Sequence, residues 1–165
     1  MKIDAHHHIW KYNPQKYGRI TSEMETFQQD FLFPALKEIV AKHPGQTFVL
    51  GHIAKPKIRE SLMTPWLQYI QRLAERENTY CKLSGLATEA SWNNWTMNDL
   101  QPYFDVVLEA FGPKRLMFGS DWPVCNLAGG DLRWRETVLE LISQLSADEQ
   151  ACILGGTAIA AYGLE

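Results

Sequence analysis

Short apolar runs alternate along the chain with segments in which apolar residues recur at helical spacing. Breakers flank apolar runs at residues 47–51, 80–84 and 115–119, as in buried parallel strands, and a shorter run opens the chain before Trp10. Helical spacing or capping residues mark helices over 34–43, 64–77, 96–111 and 131–144, a short one from Ser146 and a last one over 157–162. This alternation predicts an α/β protein with a parallel sheet.

Length, charge and composition exclude several classes of protein but do not indicate a function. The 165 residues favour a single domain, and a formal charge of −3 without a Lys/Arg cluster predicts no nucleic-acid partner. No apolar run approaches the roughly 18 residues of a membrane span, so no membrane partner is predicted. Cys81, Cys125 and Cys152 are odd in number and widely spaced, which argues against a disulfide framework or a cysteine zinc site. We expect a soluble, cytoplasmic protein with reduced thiols.

Polar residues suited to catalysis follow the predicted strands. His6 and His8 share one face at the end of the first strand, and His52, Ser84 and Asp121 come at the ends of the next three. The carboxyl ends of parallel strands meet at one edge of a sheet, where α/β proteins gather their functional groups. The sequence therefore predicts one site built from these strand ends.

Two chemistries fit such a site. Histidines and a carboxylate are ligands for zinc or another divalent metal, which activates water and polarises a carbonyl. Without a metal, Asp121 would be the general base, and His52 and Lys55 would stabilise the oxyanion. Either version predicts hydrolysis of an ester, lactone or amide.

Each residue also has a structural interpretation. His7 faces away from His6 and His8 and is expected to be structural. His52 could be a hydrogen-bonded core histidine, and Asp121 could cap the turn before Pro123. Trp10 and Trp122 suit either stacking on a sugar ring or core packing.

Several motifs together resemble the amidohydrolase-related family. They are the segments DAHHHIW (4–10), FVLGHIAKP (48–56), YCKLSGL (80–86) and LMFGSDWPV (116–124), and the tail GGTAIAAY (155–162) is similar to the family's closing segment. The branch that they resemble most is that of the sugar lactonases, of the L-fuconolactonase and L-rhamnonolactonase type.

The resemblance implies a (β/α)₈ barrel and a lactone-hydrolysing site. It places His6 and His8 after the first strand, His52 on the sixth, the motif around Ser84 on the seventh and Asp121 on the eighth. It implies that Asp121 is the general base and that His6, His8 and His52 are metal ligands or substrate contacts. We expect His52 to be catalytic together with Asp121. His6, His8 and Asp121 are the expected ligands of one divalent metal, with zinc the first candidate, although family members also work without metal. Lys55, Trp122 and Trp10 are the expected substrate contacts.

The chain departs from the family in length. Such barrels take 200 residues or more, and here strands two to five are missing, with the apparent junction near residues 30–36. We expect one internally truncated domain over residues 1–165, folded as an open half-barrel of the first, sixth, seventh and eighth strands. Its unpaired edges predict a homo-oligomer. The competing hypotheses are an inactive remnant that serves for binding or assembly, and a metal-binding domain without turnover.

Overall fold

In the computed structural model, the described residues are 13–15, 23–24 and 33–164. The chain divides into two compact units, Met1–His43 and Pro44–Glu165. The predicted first strand, with His6, His7, His8 and Trp10, lies outside the described residues. In the first unit, the predicted helix over 34–43 is confirmed as α1, Phe33–Lys42.

The second unit alternates strands and helices as the sequence predicts. Its strands are β1 (Phe48–Leu50), β2 (Thr79–Leu83) and β3 (Leu116–Phe118). Its helices are α2 (Trp66–Ala74), α3 (Leu86–Glu89), α4 (Met97–Phe111), α5 (Gly130–Leu141), α6 (Ala147–Ala151) and α7 (Thr157–Tyr162). Tight turns at Gly51–Ala54, Ile58–Glu60, Pro113–Arg115 and Val124–Ala128, and a π-turn at Cys152–Gly156, complete the connections.

The described strands form one parallel sheet in the order β1-β2-β3. Leu50 of β1 pairs with Cys81 of β2, and Leu83 of β2 pairs with Phe118 of β3. The carboxyl ends of the strands therefore meet at one edge, as the alternation of strands and helices predicts.

The core lies between this sheet and the helices α2 and α4. Burial alternates along β2, where Cys81 and Leu83 are fully buried and Lys82 is half-buried. Ile70 of α2 and Phe104 and Val107 of α4 belong to the same buried cluster. At 25 cal/mol per Å², a buried side chain of this size contributes about 1.5–3 kcal/mol to folding.

Polar side chains fix the ends of the helices. The predicted capping box at Ser146 is confirmed, because the Ser146 amide donates to Glu149 Oε2 at 2.9 Å. The same device opens α4, where the Thr96 amide donates to Asp99 Oδ2 at 2.7 Å. Glycine closes the helix after Phe111.

Arg115 joins α2 to the start of β3. Its guanidinium donates to the carbonyl oxygens of Ala74 at 2.9 Å and Arg76 at 3.1 Å. It also donates to the carbonyl oxygen of Phe111 at 3.2 Å, at the end of α4. One side chain therefore satisfies carbonyls at the ends of two helices and holds them at the amino end of the sheet.

Candidate active site

Three polar side chains meet where β1, β2 and β3 end. His52 Nδ1 lies 2.9 Å from Ser84 Oγ and 3.7 Å from Asp121 Oδ1. The first distance is that of a hydrogen bond, and the second is too long for a direct hydrogen bond. The structure thus brings together the residues that the sequence places after the three described strands.

The turn that carries His52 has a strained backbone. His52, Ile53, Ala54 and Lys55 have φ angles of 49°, 43°, 60° and 49°, in the left-handed region that L-residues disfavour by about 1 kcal/mol or more each. The turn persists because Ile53 is fully buried and its carbonyl accepts a hydrogen bond from Trp66 Nε1 at 2.6 Å. Strain that packing maintains is a feature of functional sites.

Ser84 and Gly85 both contact the imidazole of His52. Ser84 is 2% exposed, so its hydroxyl meets His52 away from bulk solvent. Gly85 has φ +70°, and a Cβ at this position would lie 3.0 Å from both Cβ and Nδ1 of His52. Only glycine allows the backbone to approach the ring this closely.

Asp121 occupies a left-handed position with φ 60°, which aspartate tolerates better than most residues. Its side chain is 13% exposed, and Thr88 Oγ1 lies 3.5 Å from Oδ2. The Thr88 hydroxyl also lies 2.9 Å from the Gly85 carbonyl, which is the stronger hydrogen bond. Just before Asp121, the Gly119 carbonyl accepts from Trp134 Nε1 at 2.8 Å and so anchors the strand end.

Larger side chains surround the strand ends. Lys55 Nζ pairs with Glu89 Oε1 at 3.1 Å, with 64% of the lysine side chain exposed. The Arg59 guanidinium lies 5.6 Å from the ring centroid of Trp92. Trp122, next to Asp121, is 70% exposed, so the structure excludes the core-packing interpretation of this tryptophan.

The arrangement is not a serine-nucleophile triad. In such a triad the serine and the carboxylate approach opposite nitrogens of the histidine, whereas here both lie nearest to Nδ1. Ser84 is also too buried to reach a substrate carbonyl. Burial, and then the carboxylates of Asp131 and Asp121, raise the pKa of Cys125, which keeps this nearby thiol protonated. The remaining candidate nucleophile is water.

The described residues supply only part of what a divalent metal site needs. Within residues 13–15, 23–24 and 33–164, no group of three or more His, Cys, Asp or Glu side chains could hold a metal ion. A catalytic zinc has three protein ligands, and Asp121 is a suitable carboxylate. The predicted ligands His6 and His8 lie outside the described residues, as does the predicted substrate contact Trp10.

Sequence reasoning missed Thr88 and Glu89, which contact Asp121 and Lys55. Both belong to α3, whose single turn is too short to show helical periodicity. The one sequence signal that could have indicated them is that they follow the end of β2 within a few residues.

Comparison with known proteins identifies the family. A family model described as Amidohydrolase matches residues 21–164. The chain therefore belongs to the amidohydrolase family. The resemblance of the motifs at His52, Ser84 and Asp121 is confirmed at the level of the family.

Two of the relatives to which the chain is similar are named as sugar lactonases. The chain is 37% identical over 147 residues to an L-fucono-1,5-lactonase of Burkholderia multivorans, covering 79% of this chain and 48% of that protein. It is 28% identical over 134 residues to an L-rhamnono-gamma-lactonase of Scheffersomyces stipitis, covering 71% of this chain and 40% of that protein. It thus spans about half the length, or less, of these relatives.

A solved structure shares the fold. A zinc-bound amidohydrolase of Burkholderia multivorans superposes with a TM-score of 0.76 at 39% identity, over 81% of this chain and 49% of that one. The parallel sheet and its helices are therefore part of an amidohydrolase fold. No helix in the described part of the chain is long and apolar enough to cross a membrane.

Proposed function

We propose that this protein hydrolyses a small sugar lactone by attack of an activated water. The observation that carries the proposal is the contact between His52 and Asp121, 3.7 Å apart at aligned strand ends, beside a strained turn. The names of the relatives support the substrate class, because two of them are sugar lactonases.

Asp121 is the general base. Its carboxylate takes a proton from water as the water oxygen bonds to the lactone carbonyl carbon, which gives a tetrahedral oxyanion. The ring C–O bond then breaks, and the proton returns from Asp121 to the departing ring oxygen. The product is the open hydroxy acid, and Asp121 is again a carboxylate.

His52 and Lys55 stabilise the oxyanion. His52 is about a third exposed, so a substrate oxygen can reach its ring. In the Lys55–Glu89 pair the lysine side chain is 64% exposed and the glutamate 27%, so solvent around the ammonium screens the pair and leaves Lys55 accessible to substrate. The exposed indole of Trp122 suits stacking on the apolar face of a sugar ring, a role that we also assign to Trp10.

His6, His8 and Asp121 would hold one divalent metal, with zinc the first candidate. Two imidazoles and a carboxylate match the ligands of catalytic zinc sites. A zinc ion bound there would polarise the lactone carbonyl and acidify water. The relative crystallised with zinc supports this choice. Hydrolysis without a metal remains the alternative, with Asp121 as the base in either case.

A panel assay tests the proposal. L-Fucono-, L-rhamnono- and D-glucono-lactones are offered to the purified chain, and acid release is followed with a pH indicator, with zinc supplied or chelated. We expect faster release than the uncatalysed rate for at least one 6-deoxysugar lactone. No acceleration for any lactone in a folded, zinc-supplied sample contradicts the proposal.

A second candidate function is a binding or assembly module without turnover. The half-length match favours it, because the chain spans only 48% of the L-fucono-1,5-lactonase to which it is similar. Lactone that protects the chain against heat without being hydrolysed would support this candidate over the enzyme.

We further propose that the truncated domain, shortened near residues 30–36, is an open half-barrel that associates with a second copy. Along β1, Val49 pairs with Tyr80 on one side, and no other described strand pairs with it on the other. An unpaired parallel edge is a site of self-association. Sedimentation at micromolar concentration should give a dimer or larger, and a stable monomer would contradict the association.

A further inference from the structure

His52 and Ser84 form an isolated hydrogen bond. Ser84 Oγ lies 2.9 Å from His52 Nδ1, and within the described ranges neither Ser84 Oγ nor His52 Nε2 has another hydrogen-bond partner. Ser84 is 2% exposed. The direction of this single bond therefore decides where the neutral imidazole carries its proton.

Burial decides the direction. If His52 Nδ1–H donated to Ser84, the buried serine proton would lack an acceptor in the described part of the protein, which costs about 1–3 kcal/mol. If Ser84 donates to Nδ1, the serine proton is satisfied and the ring proton sits on Nε2.

The charge of Asp121 weakly favours the other tautomer, in which the ring proton sits on Nδ1. Its carboxylate would attract a proton on Nδ1, yet Oδ1 lies 3.7 Å from that nitrogen, beyond a direct hydrogen bond. The ring is also about a third exposed, so solvent screens the attraction. The shorter, buried contact with Ser84 prevails.

We propose that Ser84 is a positioning residue, whose hydroxyl donates to Nδ1 of His52 and thereby makes Nε2–H a hydrogen-bond donor to a substrate oxygen. His52 is then not a metal ligand, because Nδ1 is occupied and Nε2 carries a proton. The Nδ1 atom is then bonded to Ser84, while Asp121 Oδ1 lies 3.7 Å from it, too far for a direct hydrogen bond. This inference rests on the proposed function only for the role of the Nε2–H group.

Two glycines make room for this bond. Gly85 lets the backbone lie against the imidazole. A Cβ at Gly119 would lie 3.2 Å from Ser84 Cβ and 3.6 Å from its Oγ, so Gly119 leaves space for the hydroxyl. The neighbours of Ser84 on β2 and β3 therefore suit its orientation toward the ring.

The tautomer of His52 can be measured directly. Long-range ¹H–¹⁵N NMR spectra of the labelled full chain at pH 8.5 report which ring nitrogen is protonated, and the His52→Gln variant assigns the signal. We expect Nε2–H in the wild type. Ser84→Ala should shift the tautomer ratio about tenfold toward Nδ1–H. Ser84→Thr, which keeps a hydroxyl, should restore the wild-type ratio.

A matched control removes a buried hydroxyl elsewhere. Thr137 is buried and donates to the Arg133 carbonyl at 2.8 Å within α5, so Thr137→Val should leave the His52 tautomer unchanged. Added zinc should leave the Nε2–H signal in place.

Three results would overturn the inference: Nδ1–H in the wild type, an unchanged ratio in Ser84→Ala, or stoichiometric loss of the Nε2–H signal on adding zinc. Because the wild-type spectrum, assigned with His52→Gln, is decisive without Ser84→Ala, a failure of Ser84→Ala to fold does not remove the test. An Nε2–H tautomer in a chain without lactone turnover contradicts the proposed function and supports the assignment of Ser84.

Discussion

Ser84 and His52, 32 residues apart in the sequence, are joined by a contact of 2.9 Å between the hydroxyl oxygen and Nδ1. The parallel register of β1 and β2 creates this contact, because it aligns the residues that follow the two strands. The hydrogen bond with Ser84 holds the imidazole at Nδ1. Asp121, which follows β3, has its Oδ1 atom 3.7 Å from the same nitrogen.

Gly85→Ala should displace the His52 ring and destabilise the fold. The added Cβ would lie 3.0 Å from the ring, and alanine would have to adopt φ +70°. We expect a loss of about 2 kcal/mol or more in the free energy of unfolding, measured by urea denaturation. Gly163→Ala is the control, because Gly163 has φ +63° and ψ 41°, in the same left-handed region, with open space around it, and therefore isolates the backbone strain. Equal losses in the two variants would refute the close contact with His52.

Ala54→Gly should stabilise the protein. Ala54 is exposed and has φ 60°, and glycine adopts this conformation without a steric penalty. We expect a gain of about 1 kcal/mol by chemical denaturation. Ala160→Gly, at an exposed position in α7, should have the opposite sign, with a loss of about 0.5–1 kcal/mol. A loss of stability in Ala54→Gly would mean that the turn at His52 is not strained.

Arg115→Lys should weaken the amino end of the sheet. Lysine lacks the planar fork with which Arg115 reaches the carbonyls of Ala74, Arg76 and Phe111 together. We expect a loss of about 1.5–3 kcal/mol in the free energy of unfolding. Arg135, exposed on α5, provides the control, and Arg135→Lys should stay within about 0.5 kcal/mol. If Arg115→Lys and Arg135→Lys lower the free energy of unfolding by the same amount, Arg115 does not hold the two helix ends.

The buried thiol of Cys81 should make stability depend on alkaline pH. Burial raises the pKa of Cys81 far above its usual range. A raised folded-state pKa contributes stability that is fully present below the unfolded value of about 8.5 and is lost as pH rises beyond it. We expect a decline of up to about 1.4 kcal/mol per pH unit above this value, reduced in Cys81→Ala. Identical slopes in the wild type and the variant would contradict the burial of this thiol.

The sequence predicted the order of the described strands and helices because their periodicity and capping residues are strong local signals. Its predictions for α1, α4 and the capping box at Ser146 are confirmed. The left-handed turn from His52 to Lys55 could not be predicted, because it contains no glycine and is held by the burial of Ile53. Tertiary packing there overrides local preference.

The sequence predicted where the candidate site lies but not the hydrogen bond that joins Ser84 to His52. Strand ends indicated that His52, Ser84 and Asp121 would gather, since carboxyl ends of parallel strands share an edge. The hydrogen bond from Ser84 depends on the register of β1 and β2, which no local pattern encodes. The roles of His6, His8 and Trp10 stay predictions, because these residues lie outside the described part of the chain.

Lactone hydrolysis by the wild type and by Asp121→Asn is the most direct test of the account. Asparagine also tolerates a left-handed backbone, so the variant removes the charge while keeping the φ of 60° accessible. Asp105→Asn, at an exposed position on α4, is the control for loss of a carboxylate. We predict measurable turnover by the wild type and the control, and a rate about 10²–10⁴ lower in Asp121→Asn. Equal turnover in all three, or none in a folded wild type, would contradict the account.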